Sequence, residues 1–193
     1  MSTNLTGGGT SNLDALAVAG AADFGTPTYS GVAMGRMVFG TAQNTTSGTS
    51  IDFAPPSWAR KITLYGRSIS TNGVSAPMVQ IGTGGTPTTS GYVSTSLGSY
   101  AGNISSGLAS TTGFVLANTS VAANYVHFTC TLVHMGGNVW QQTSHLAGGG
   151  SQAVGMISGG DITLSGALNF LRFTTSGGTD TFDLGSIIPL YEG

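Results

Sequence analysis

From Ala59 to Ser70 the sequence alternates, with Ile62, Leu64 and Gly66 falling on one side and Lys61, Thr63, Tyr65 and Arg67 on the other. Successive side chains of an extended chain point to opposite faces, so this period of two predicts a strand that is dry on one face only. Tyr125 to Met135 repeats the pattern, with Val126, Phe128, Cys130 and Leu132 on one face and Thr129 and Thr131 on the other. A strand of this kind must bury its apolar face against a second layer, and for antiparallel strands the two-sheet solution is a sandwich.

The remaining strand signals come at short intervals. Pro55-Pro56 bars any ladder from running into the first strand, because neither proline can donate a backbone hydrogen bond, and Trp58 gives that strand a large anchor. The segment STNGVSAP has turn chemistry, and Met78 to Ile81 is expected to return from it as a hairpin partner. Arg36–Thr41, Thr49–Phe53, Gly91–Ser96, Phe114–Leu116, Val139–Leu146, Ala153–Ile157, Ile162–Leu164, Leu168–Thr174 and Phe182–Tyr191 also read as strands. In the last of these Phe182, Leu184, Ile188 and Leu190 are expected to alternate inward. Gly136-Gly137-Asn138 reads as a hairpin turn, Gly148-Gly149-Gly150 as a break, and Ser99–Thr112 as a low-complexity loop. The expected fold is therefore all-β, an antiparallel jelly-roll-like sandwich of about eight to ten strands with an extended N-terminal arm.

Charged residues make up only 6% of the chain, against a usual share of about a quarter, while hydrophobic residues reach 39%. Disorder goes with low hydrophobicity and high net charge, and a formal charge of −2 with this apolar content excludes that class. Beyond Arg60-Lys61 and Arg67 there is no basic patch, so phosphate neutralisation and nucleic-acid binding are not expected. So weakly charged a surface protects a monomer poorly against association, which points to an assembly. The single cysteine, Cys130, excludes an internal disulfide and lies in an apolar strand, where a buried, inert thiol is expected. The N-terminal residues carry no secretory signal pattern, and no apolar run reaches the ~20 residues of a membrane span, so no membrane partner is expected.

Residues 1–33 differ from the rest and read as an arm, followed by a β-domain over residues 34–193. The arm has a Gly-rich spacer, a marginal helix pattern over Ser11–Ala22 and a turn around Pro27. Its apolar side chains Leu5, Leu13, Leu16, Val18 and Phe24 are too sparse for a core but suit docking on a partner, and they are the candidate partner-binding residues.

The stretches PSWARKITLYGRSISTNG, MVQIGTGGTPTTSGYVSTS and, much later, GGTDTFDLGSIIPLYEG resemble in order a β-domain recurring in tailed-bacteriophage virion proteins. The resemblance spans roughly residues 45 to 193. It implies a virion structural protein assembled in the host cytoplasm: either a capsid decoration or cement protein on the capsid surface, or a tail-fibre or receptor-binding tip with a carbohydrate-binding β-domain. The implied partners are the major capsid protein or tail proteins. With only about 45 residues ahead of the domain there is little chain for a fibre shaft, which favours decoration. Virion proteins often sit at threefold positions, and a closed assembly would cover sheet edges, so a homotrimer is expected.

No catalytic residues, no metal site and no cofactor are expected. His127 and His134 are an odd number of residues apart in one strand and so face opposite ways, although His145 on the next hairpin arm can approach His134. No GxSxG elbow is present, Gly82-Thr83-Gly84-Gly85 lacks the lysine of a phosphate loop, and Asp180 and Asp183 read as turn capping rather than a glycosidase pair. Exposed Trp140 or Tyr100 would be the aromatic platforms for a sugar.

Overall fold

The computed structural model describes residues 28–29, 32–33, 35–100, 103–118 and 121–193. Contacts divide the chain into two units, Met1–Met34 and Gly35–Gly193. In the first, β1 (Thr28–Tyr29) and β2 (Val32–Ala33) pair antiparallel. Leu5, Leu13, Leu16, Val18 and Phe24 lie outside the described residues.

The second unit is an all-β sandwich of two antiparallel sheets. The smaller sheet has the order β10 (Phe114–Val115), β7 (Pro77–Gly82), β14 (Phe170–Thr175), β5 (Ile51–Phe53). The larger runs β3 (Met37–Phe39), β15 (Phe182–Glu192), β6 (Lys61–Thr71), β11 (Asn124–His134), β12 (Val139–Gly150), β13 (Val154–Thr163), β8 (Val93–Tyr100), β9 (Asn103–Ser110). A short β4 (Gln43–Asn44) adds to β15. Nine of these strands have six or more residues.

The core lies between the sheets and follows the alternation of β6 and β11: Ile62, Leu64, Phe128, Cys130 and Leu132 are all buried. Phe128 from the large sheet meets Phe173 of β14 at 5.2 Å between ring centroids, and Phe173 stacks on Phe182 of β15 at 5.2 Å, so three rings tie the layers together. Gly66 makes room for this contact, because a Cβ there would fall inside the Phe128 ring. Between β10 and the large sheet the core turns polar. Gln142 Nε2 donates to Ser158 Oγ at 3.0 Å, Ser144 and Ser158 share a 2.6 Å hydrogen bond, and Ser94 Oγ accepts from Val115 N–H at 3.0 Å.

Three parts of the sequence reading are corrected here. Met78–Ile81 does not return against β6. It forms β7 of the other sheet, paired with β14 and β10, because β11 and β15 already occupy both edges of β6. Every residue of β7 is buried, which a sheet wet on one side would not provide. The crossing is held by Asp180, whose carboxylate lies against Gly73 and accepts from Ser75 N–H at 2.8 Å, and by Asn72 Oδ1, which accepts from Thr181 N–H at 2.8 Å.

In β15, Leu184 is exposed and Ile188 only half-buried, while Ile187 is fully buried. Register shifts between Phe182 and Leu184 and between Leu184 and Ser186 change the parity, with Gly185 at φ 103° in the region L side chains avoid. Finally, Gly148–Gly150 does not break β12, and most of Ser99–Thr112 belongs to the end of β8 and to the strand β9 rather than to a loop. At Gly148 a side chain would strike the Tyr125 carbonyl, so glycine permits a close approach of the strands there.

Candidate functional site: the outer face of the large sheet

The side of the large sheet turned away from the core is built by the same alternation that buries Leu64 and Cys130. Register places Ile188 opposite Tyr65, Tyr65 opposite Thr129, Thr129 opposite His145, His145 opposite Ile157, and Ile157 opposite Leu97. These six residues form one row across β15, β6, β11, β12, β13 and β8, a span of about 24 Å at the usual ~4.8 Å between strands. Tyr65 is 38% exposed, Ile157 56% and Leu97 46%. No charged side chain stands in the row.

Beside the row lies an open recess of about 380 Å³ lined by Tyr65, His127, Thr129, His145 and Ala147. Its geometry comes from a bulge. Val126 pairs with Ile69 and Phe128 with Gly66, so Arg67 and Ser68 together face His127. Ser68 takes a left-handed conformation at φ 53°, and its N–H donates to His127 Nδ1 at 3.3 Å. A neutral ring that accepts at Nδ1 carries its proton on Nε2, so the bulge fixes the tautomer and leaves a ring donor at the recess. Tyr125 meets His127 edge-on at 5.7 Å and leans toward Gly149, where an added Cβ would stand 3.6 Å from the Tyr125 hydroxyl.

The histidine pairing therefore differs from expectation. His134 is opposite Trp140, and its Nε2 donates to Gly137 O at 2.7 Å, closing the hairpin turn; His145 is five pairs away, opposite Thr129. The pair sharing a face is His127 and His145. Counting back from the Gly136-Gly137 turn would have revealed this register. Trp140 is buried beside His134 rather than exposed, and the Tyr100 side chain lies outside the described residues. A smaller recess of about 190 Å³, lined by Arg60, His134, Asn138 and Trp140, sits at that end of the sandwich. Cys130 is fully buried, and burial pushes its thiol up to about 12.

A second exposed feature is an edge. In β3 every side chain is apolar and open to solvent: Met37 at 67%, Val38 at 49% and Phe39 at 59%. β3 ends the large sheet, with β15 its only partner among the described residues.

Among the described residues no three His, Cys, Asp or Glu side chains come together as a metal-binding group, and no helix is long and apolar enough to cross a membrane. No protein-family model, curated protein or solved structure matches this chain.

Proposed function

We propose that the chain is a structural protein of a tailed-bacteriophage particle, a capsid decoration or cement protein that works by surface contact rather than by catalysis. The observation that carries this reading is β3, an edge strand whose three side chains are all apolar and exposed. Unpaired apolar edges invite association, and proteins that stay monomeric blunt them with charge, proline or a cover. Here the edge follows directly in sequence on the segment that carries Leu5, Leu13, Leu16, Val18 and Phe24. The edge supplies one apolar contact for the major capsid protein and the N-terminal segment's apolar side chains supply another, and the domain associates as a homotrimer on the shell. Sedimentation equilibrium at micromolar concentration checks the second part, and a monomer there contradicts it.

A tail-fibre or receptor-binding tip is the second reading, and the exposed row with its recess on the outer face favours it. Gold-labelled antibody against the protein, applied to intact particles, separates the two. Gold over the shell is the expected result, gold at tail tips selects the second reading, and particles without label overturn both.

A further inference from the structure

We infer that the recess formed by Tyr65, His127, Thr129 and His145 binds a neutral oligosaccharide. The inference does not rest on where the protein sits in a particle. Four observations lead to it. The lining offers hydroxyls on Tyr65 and Thr129 and imidazole nitrogens on His127 and His145, so it carries both donors and acceptors. Tyr65 lines it at 38% exposure and Tyr125, at 41%, packs edge-on against the lining residue His127, and such rings pair an apolar face with a polar tip. No Arg, Lys, Asp or Glu lines it, and Arg67, opposite His127 at the bulge, lines a separate recess with Asn44 and Leu184, so the recess itself offers no countercharge to a phosphate, a carboxylate or a free cation. Ala147 also lines it, paired with Gly155 of β13, where an added Cβ would meet nothing within 4 Å, so a flat ring has room beside the backbone there.

A sugar ring matches that chemistry: C–H faces for the tyrosines, and hydroxyls that both donate and accept for the histidines and Thr129. A transition metal fits less well. The Ser68 N–H holds His127 Nδ1 as an acceptor, and Nε2 then carries the proton, which leaves His145 as the only imidazole without this constraint. The row continues past the recess to Ile157 and Leu97, so the occupant is a chain of several sugars lying across the strands rather than one enclosed ring.

The test applies labelled full-length protein to an array of bacterial surface glycans, then measures the strongest neutral hit by affinity electrophoresis. The expected result is binding to at least one neutral glycan, weakened about tenfold or more by Tyr65→Ala and by His145→Ala, as loss of a stacking face or a hydrogen bond to ligand implies. His127→Ala should do the same, and Val74→Ser, on the exposed turn after β6, should change nothing. Thermal unfolding of each variant guards against misfolding; if His127→Ala is destabilised through loss of the Ser68 bond, the Tyr65 and His145 variants decide. Three results would overturn the inference: no neutral glycan bound anywhere on the array, binding to acidic glycans alone, or neutral binding untouched by all three recess variants. Self-association that Tyr65→Ala abolishes would also overturn it, by assigning the face to a second copy.

Discussion

The two faces of the large sheet are made by the same strands and differ in almost every other respect. Inward, Ile62, Leu64, Phe128, Cys130 and Leu132 are buried and interlock with the smaller sheet through Phe173. Outward, Tyr65, His145, Ile157 and Leu97 form a row of exposed side chains. The inner face is replaceable only at the cost of the fold. The outer face keeps large apolar and aromatic groups in water, which folding does not require, and on our proposal these groups meet a ligand.

The sharpest way to break that contrast is to empty the inner face. Leu132→Ala should destabilise the domain by about 2–5 kcal/mol and Phe128→Ala by about 3–5 kcal/mol, since each removes fully packed atoms and leaves a cavity. Urea unfolding reads this directly, and a loss no larger than that of an outer-face variant would mean the two faces are not distinct.

A smaller loss is expected at Tyr92, whose buried hydroxyl accepts from Ile81 N–H at 2.8 Å and donates to Ile81 O at 2.9 Å. It stands in for a ladder partner beyond the end of the two-residue strand β10. Tyr92→Phe keeps the ring against Phe114 but strands the Ile81 N–H, while Ile81 O still accepts from Thr88 N–H at 3.0 Å, at a cost of about 1–3 kcal/mol.

Alkaline pH tests the same dryness without mutation. Burial pushes the Cys130 thiol from 9.0 up to about 12 and raises the Tyr92 phenol as well. Both groups stay protonated in the fold at a pH where the unfolded chain releases its protons. Above about pH 9 the unfolded state thus binds fewer protons, and stability falls as the pH rises toward 12. Urea midpoints should drop between about pH 8 and about pH 11, and a flat profile would show that these side chains reach water.

The smallest effect belongs to the outer face. Tyr65→Ser, Ile157→Ser and Leu97→Ser should each change stability by no more than about 0.5 kcal/mol, the usual range for exposed positions. A loss above about 2 kcal/mol for any one of them would make it part of the core.

The sequence made this contrast legible where one face is dry. The parity of β6 and β11 follows directly from which residues are apolar, and the burial of Cys130 and the outward set of Tyr65 and Arg67 followed from it. Parity failed at Leu184 and Ile188, because a bulge at a glycine reverses the faces and leaves no periodic trace. The placement of β7 was hidden for a different reason: turn residues such as Asn72-Gly73 signal a reversal, not which sheet receives the next strand. Likewise β9, built of Ser, Gly, Ala and Asn with Ile104 and Leu108, carries too little contrast between faces to read as a strand. The recess was missed because it needs three strands in register. Tyr65, His127 and His145 are neighbours only once β6 and β12 flank β11.

The most direct test of attachment through the N-terminal segment and β3 is co-sedimentation with particles that lack the protein. Three forms are compared: full-length chain, residues 35–193, and full-length chain carrying Met37→Ser and Phe39→Ser. The full-length chain should pellet with the particles, the truncated form should remain folded yet stay in the supernatant, and the double variant should bind more weakly. Equal pelleting of all three would contradict attachment through this edge and segment and would shift the contact to the body of the β-domain.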